Sequence, residues 1–307
     1  ASRNCIRDDQ KVLHLVGGAF SERWAEVSQL NGKQVDVINV EWGQAHTPDM
    51  VADALKKQKY DAVCAVHNET STGVTNPIKE IGAVVREYDD TLFLVDTVSG
   101  FLGIELRVDD WNIDIALTSS QKAFALPPGL AFAAVSDRVL ERAKQVKNRG
   151  YYFDFLELEA SLKKNNTPAT PPISLMYAAD RQLDDVLAET LEARWARHML
   201  MREMTITWAD SRGMGVFSQE GYRSPTITAV ANVKPDIYVE SGSVALTGFD
   251  VPLPIQVRGG ELSINGGGWT HYISTVNPGD TLRLRTVSST VAGEKRTVEV
   301  AVGGDVA

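Results

Sequence analysis

The feature that most constrains this chain is an alternation, from about residue 10 to 150, of short β-branched runs with amphipathic stretches. Lys11 to Val16, Val35 to Val40, Asp61 to Val66, Leu92 to Asp96, Ile113 to Thr118 and Leu130 to Val135 read as strands. Helix openings fall between them. Gly17-Gly18 turns the chain and Ser21 stands as the expected cap of a helix through Trp24, Val27 and Leu30. Thr47-Pro48-Asp49 puts a proline at a first helical position, and Asn76-Pro77 opens a helix from Ile78 to Tyr88. This alternation predicts a mostly parallel sheet with helices on both faces. Ligands in such folds bind beyond the carboxyl ends of the strands, so the polar residues after each strand carry most of the information.

Further on, 174 to 212 reads as one long helix, with Leu183, Val186, Leu187 and Leu191 at helical spacing, and Tyr222 to Asn232 reads as a strand. After about residue 234 the texture changes to Gly, Ser, Thr and Val. Ser243 to Leu246, Ile255 to Val257, Glu261 to Ile264, Thr281 to Arg285 and Thr297 to Val302 read as short strands between turns such as Asn265-Gly266-Gly267-Gly268. That spacing predicts a small all-β sandwich. The expected boundary is Lys234-Pro235-Asp236, dividing 1–234 from 235–307.

With 43% hydrophobic and 23% charged residues, the 307-residue chain should bury a real core. A net charge of −9 suits neither nucleic acid nor an anionic membrane surface as a bulk partner. No signal peptide and no apolar run long enough for a bilayer are evident. Cys5 and Cys64 suggest neither a disulfide framework nor a zinc site, and Cys64, inside a strand, reads as a small hydrophobe. The start at Ala1-Ser2-Arg3-Asn4, without Met, reads as that of a fragment or a processed product.

Three clusters follow strands and would converge on one rim: His67-Asn68-Glu69-Thr70-Ser71-Thr72-Gly73-Val74, Val95-Asp96-Thr97-Val98-Ser99-Gly100, and Thr118-Ser119-Ser120-Gln121-Lys122-Ala123. Taken singly they have plain readings. A lysine after a strand is usually solvated, an aspartate there often caps or turns, and Thr-Ser-Thr-Gly is an ordinary turn. Phe20 reads equally as a core aromatic at a helix start.

Taken together they resemble the class V, fold-type I aminotransferases, especially the alanine–glyoxylate and serine–pyruvate group. Pro127-Pro128-Gly129, Arg149-Gly150-Tyr151-Tyr152-Phe153-Asp154 and Thr167-Pro168-Ala169-Thr170-Pro171 extend the resemblance over about residues 1 to 234. It implies a pyridoxal 5'-phosphate cofactor, which needs an amine, a carboxylate for its pyridine nitrogen, partners for both ring faces and donors for its oxygens. By this resemblance Lys122 would form the Schiff base and move the proton at the substrate α-carbon. Asp96 would pair with the pyridine nitrogen, Val98 and Phe20 would pack on opposite ring faces, Thr70 would meet the ring hydroxyl, and Gln121 would help hold the phosphate. Thr170, and Thr167 with it, would reach the phosphate of the other subunit of a homodimer. His67 would be structural.

The resemblance implies a cytoplasmic transaminase passing an amino group from alanine- or serine-type donors to a 2-oxo acid such as glyoxylate or pyruvate. Two pieces of the pattern are missing. The N-terminal phosphate loop should end just before the chain begins, so the large domain reads as N-terminally truncated. The C-terminal small domain, with its substrate-binding arginine, is replaced by the β-rich segment, whose Arg258, Arg283 and Arg285 sit in no family motif. That segment, with Gly259 to Thr270 and Val276 to Arg285, resembles immunoglobulin-like β repeats of bacterial surface proteins and hints at a surface setting. Two alternatives remain: an inactive aminotransferase remnant joined to an interaction module, and a cysteine desulfurase-like lyase, for which neither cysteine is suitably placed.

Overall fold

Lys11–Val16 (β1) pairs in parallel with Gln34–Asn39 (β2) on one side and Ala62–Val66 (β3) on the other. Leu92–Asp96 (β4) and Ile115–Ser119 (β5) extend the sheet in parallel. Ala131–Val135 (β6) closes it antiparallel, giving the order β2-β1-β3-β4-β5-β6. The computed structural model describes residues 1–231, 238–271, 274–288 and 296–304. Those residues form two compact units, one of Ala1–Trp208 with Val216–Ala229, the other of Ala209–Gly215 with Val230–Ala307. The expected boundary at Lys234-Pro235-Asp236 lies outside the described residues.

β3 is apolar throughout, and β4 from Leu92 to Val95, because both of their faces are covered. Successive side chains alternate between faces. Leu13, Leu15, Val63, Ala65, Phe93 and Val95 join one core, with Val51 and Leu55 of helix Pro48–Lys57 and Ile78, Ile81 and Val85 of helix Ile78–Arg86. Val12, Ala62, Cys64, Leu92, Leu94 and Ile115 join the other, with Cys5, Ile6, Val139 and Phe155. At the amino end of β4 and β5, buried Asp114 forms a polar knot. It accepts from Phe93 N at 2.9 Å, Ser136 Oγ at 2.8 Å and Arg138 Nη1 at 3.2 Å, and Arg138 also caps the Thr91 carbonyl.

Three local expectations are corrected. Helix Ala19–Leu30 (α1) is capped by Gly18, and Ser21 lies inside its first turn. The long helix is two, Ile173–Glu189 (α2) and Leu191–Ser211 (α3), broken at Thr190, whose φ is 68°. Among the described residues of the expected strand Tyr222 to Asn232, only Val230–Ala231 is strand, and Asn232 lies outside the described residues. The Ser224 hydroxyl accepts from Thr226 N and Ile227 N, which turns that stretch away from a ladder.

In the second unit, Tyr238–Glu240, Val244–Ala245 and Glu261–Ile264 all pair antiparallel with Thr281–Val287. Leu253–Arg258 pairs with Ser274–Val276 and Glu299–Val302 in a second sheet. Ile255 and Val276 of one sheet share a core with Leu262 and Leu282 of the other, as in a sandwich. Arg285 is locked between Tyr238 and Trp269, 3.9 and 4.6 Å from their ring centroids, and ion-paired to Glu261.

Candidate active site

Gly18 to Phe20 follow β1, Thr70 follows β3, Asp96 and Val98 end β4, and Gln121 and Lys122 follow β5. In a parallel sheet these ends share one rim. The Phe20 turn is held from another loop. Glu69, only 2% exposed, offers Oε1 to Phe20 N at 3.3 Å and Oε2 to Ser21 N at 3.0 Å. A carboxylate there satisfies amides left free at the helix start and complements its dipole. Ser71 donates to Glu69 Oε1 and accepts from Ala19 N, tying the same loop down. A Cβ on Gly18 would meet Glu69 Cγ and Ser71 Oγ at 2.5 Å, so only glycine lets the two loops close. Phe20 is 40% exposed, which rules out the core-aromatic reading.

Asp96 is level with Val66 and Leu117 on the neighbouring strands. Its Oδ1 accepts from Val98 N at 2.8 Å. Burial raises its pKa above the usual carboxylate range. The Val98 amide and the charge of Lys122 oppose that rise, and the charge of Glu69 adds to it. Thr70 Oγ1 lies 2.5 Å from Ser99 Oγ, and Thr226 Oγ1 donates to the Ser99 carbonyl at 2.8 Å. His67 is buried edge-on to Trp111, with a pKa lowered to about 4 by desolvation, so it is neutral and structural in character.

Lys122 stands on a stapled turn. Ser120 Oγ donates to the Pro127 carbonyl at 2.7 Å and accepts from Leu130 N at 3.2 Å, while Ala125 N closes on the Lys122 carbonyl at 2.8 Å. Gln121 and Lys122 are exposed. The Ser119 hydroxyl just before them is buried without a hydrogen-bond partner.

Thr167 and Thr170 lie in the segment between helices Phe155–Leu162 and Ile173–Glu189. Both are exposed, and Thr167 donates its hydroxyl to the Ala169 carbonyl at 2.8 Å. Cys5 and Cys64 are buried, and desolvation raises their thiols, Cys5 to about 11. No cluster of His, Cys, Asp or Glu among the described residues could hold a metal.

An accessible amine, a half-buried carboxyl bonded through one oxygen among the described residues, an exposed aromatic face and an orphaned buried hydroxyl fit part of what pyridoxal phosphate requires. The model of the aminotransferase class-V family matches residues 2–235. The chain belongs to the class V aminotransferases. It is 42% identical over 234 residues to an uncharacterized aminotransferase of Methanocaldococcus jannaschii, covering 75% of this chain and 60% of that protein. It is 34% identical over 236 residues to the serine–glyoxylate aminotransferase of Arabidopsis thaliana, covering 75% and 59%. The crystal structure of the alanine–glyoxylate aminotransferase of a Nostoc species superposes with a TM-score of 0.71 at 30% identity, covering 74% of this chain and 61% of that one. The chain thus spans about 60% of the length of the curated relatives it matches.

Proposed function

We propose that this chain carries the cofactor site of a pyridoxal-phosphate-dependent transaminase. It would take the amino group from an alanine- or serine-type donor and pass it to a 2-oxo acid such as glyoxylate or pyruvate. The observation that carries this reading is that Asp96 ends β4 and Lys122 follows the adjacent parallel strand β5, so both lie at one rim of the sheet. The glyoxylate-using relative named above supports the acceptor class. When bound, the cofactor supplies an electron sink for the substrate α-carbon.

The residues divide the remaining work. Lys122 would hold the cofactor through its amine and could carry a proton at the substrate α-carbon. Asp96 would face the pyridine nitrogen and, as a carboxylate, would favour its protonated form. Phe20 and Val98 would hold the cofactor ring, and Thr70, which pairs with Ser99, would contribute a hydroxyl. Gln121 serves the phosphate. Thr167 and Thr170, both exposed, would serve the phosphate site of the partner subunit in a homodimer. Buried, high-pKa thiols argue against a desulfurase-like lyase. We place the aminotransferase part in the cytoplasm. Among the described residues, no helix is long and apolar enough to cross a membrane. Two antiparallel sheets on a shared core support an immunoglobulin-like reading of the second unit.

The test is to add pyridoxal phosphate to the purified chain and follow its visible absorbance. A new band, absent in Lys122→Ala and bleached by an amino donor, is expected. No band in the parent, or an unchanged band in the variant, sinks the cofactor reading. A band that no donor bleaches favours an inactive remnant.

A further inference from the structure

The Lys122 turn is tied to the helical layer by one buried cation. Arg194, in the first turn of α3, has a side chain 9% exposed. Its Nη2 donates to the Ala123 carbonyl at 2.6 Å and its Nη1 to Glu189 Oε2 at 2.8 Å. Arg197 Nε takes the other Glu189 oxygen at 2.6 Å. Arg197 first, and then Arg194, holds the Glu189 carboxyl down to about 2, so it stays ionised at any working pH.

The acid and the guanidinium flank the Thr190 break. Thr190 accepts from Arg194 N at 3.1 Å through its carbonyl and from Ala193 N at 3.3 Å through its hydroxyl. Ala123 is also gripped on another side. A Cβ on Gly103 would come within 3.1 Å of Ala123 Cβ and 2.4 Å of Thr226 Cγ2, so backbone and side chains meet there without slack. A solvated surface arginine would be placed quite differently.

We propose that Arg194 is a positioning residue for Lys122. By fixing the carbonyl of the next residue, it sets the direction in which the amine leaves the turn. It touches neither cofactor nor substrate. The proposal rests on the reading of Lys122 given above. Lysine cannot replace it fully, because only the planar fork spans a carboxylate and a carbonyl at once.

Two variants test it, Arg194→Met and Arg194→Lys, with Arg197→Met as a control that removes only the outer partner of Glu189. Two quantities are measured besides thermal unfolding. One is pyridoxal phosphate affinity by absorbance titration. The other is the pH profile of Lys122 modification by an amine-directed reagent in the cofactor-free protein, read by peptide mass spectrometry. Arg194→Met should weaken affinity about tenfold or more, as expected for loss of a charge-assisted hydrogen bond, and should displace the Lys122 profile. Arg194→Lys should recover part of both, and Arg197→Met should leave both near the parent. If Arg194→Met does not fold, Arg194→Lys, which keeps the buried charge, carries the test. Parent-like affinity and Lys122 profile in a folded Arg194 variant would overturn the proposal, as would losses that merely track the melting temperature. If the parent itself fails to bind pyridoxal phosphate, the transaminase reading falls, while the Lys122 profile still decides the role of Arg194.

Discussion

The Glu69 carboxylate, carried by the segment after β3, accepts from the backbone amide of Phe20 in the first turn of α1. An acid from one element thereby fixes an aromatic on another. Glu69→Ala removes the acceptor for buried amides and should cost about 2 kcal/mol, the upper range for a lost helix cap. Glu69→Gln keeps an acceptor and should cost less. Denaturant midpoints measure both. Equal stability of Glu69→Ala and parent would contradict this account.

Asp96 should behave as a residue kept at the expense of stability. Its folded pKa is raised, chiefly by burial. Such a group stabilises most below its unfolded pKa and loses that contribution as pH rises through the folded value. At neutral pH the cofactor-free Asp96→Asn variant should therefore melt higher than the parent, while binding pyridoxal phosphate more weakly. A lower melting temperature would show that the carboxylate supports the empty fold.

Buried histidines should make the chain acid-sensitive above the carboxylate range. Desolvation lowers His14 and His67 to about 4. Their contribution is intact above the unfolded pKa near 6.5 and is lost as pH falls from there to about 4, because only the unfolded chain takes up the protons. Each is worth at most about 3 kcal/mol across that window. His67→Gln should flatten the fall in stability between roughly pH 6.5 and 4. An unchanged slope in chemical unfolding would rule out His67 as a source.

Asp114→Ala should be the most damaging of these changes. It strands the Phe93 amide and the half-covered Arg138 guanidinium, and should cost about 3 kcal/mol. Unfolding by circular dichroism measures the cost, and a loss under about 0.5 kcal/mol, the range of ordinary surface changes, would be inconsistent with the knot.

The centre of the sheet was legible because Ala62–Val66 and Leu92–Asp96 are short, apolar and buried on both faces, so each reads as strand from composition alone. The rim residues were legible as a set through the family resemblance, since Asp96 or Lys122 singly resembles many solvated residues. What escaped depends on contacts distant in sequence. Ser21 looked like a cap because local rules seek a polar side chain at a helix start, whereas the acceptor here is Glu69, 49 residues from Phe20. The break at Thr190 leaves apolar periodicity undisturbed, so α2 and α3 read as one helix. Nothing local in the sequence singles out Arg194 within its helical stretch, and only the fold shows that it reaches Ala123, 71 residues away.

The knot at Asp114 has one further consequence. It locks the amino ends of β4 and β5, whereas Asp96 and Lys122 occupy their carboxyl ends. Opposite margins of the same two strands thus answer to separate demands. Drift at the upper margin can retune or silence the chemistry and leave a protein that still folds, while drift at the lower margin removes the platform itself. A lineage of such chains could lose its reaction long before it lost its shape.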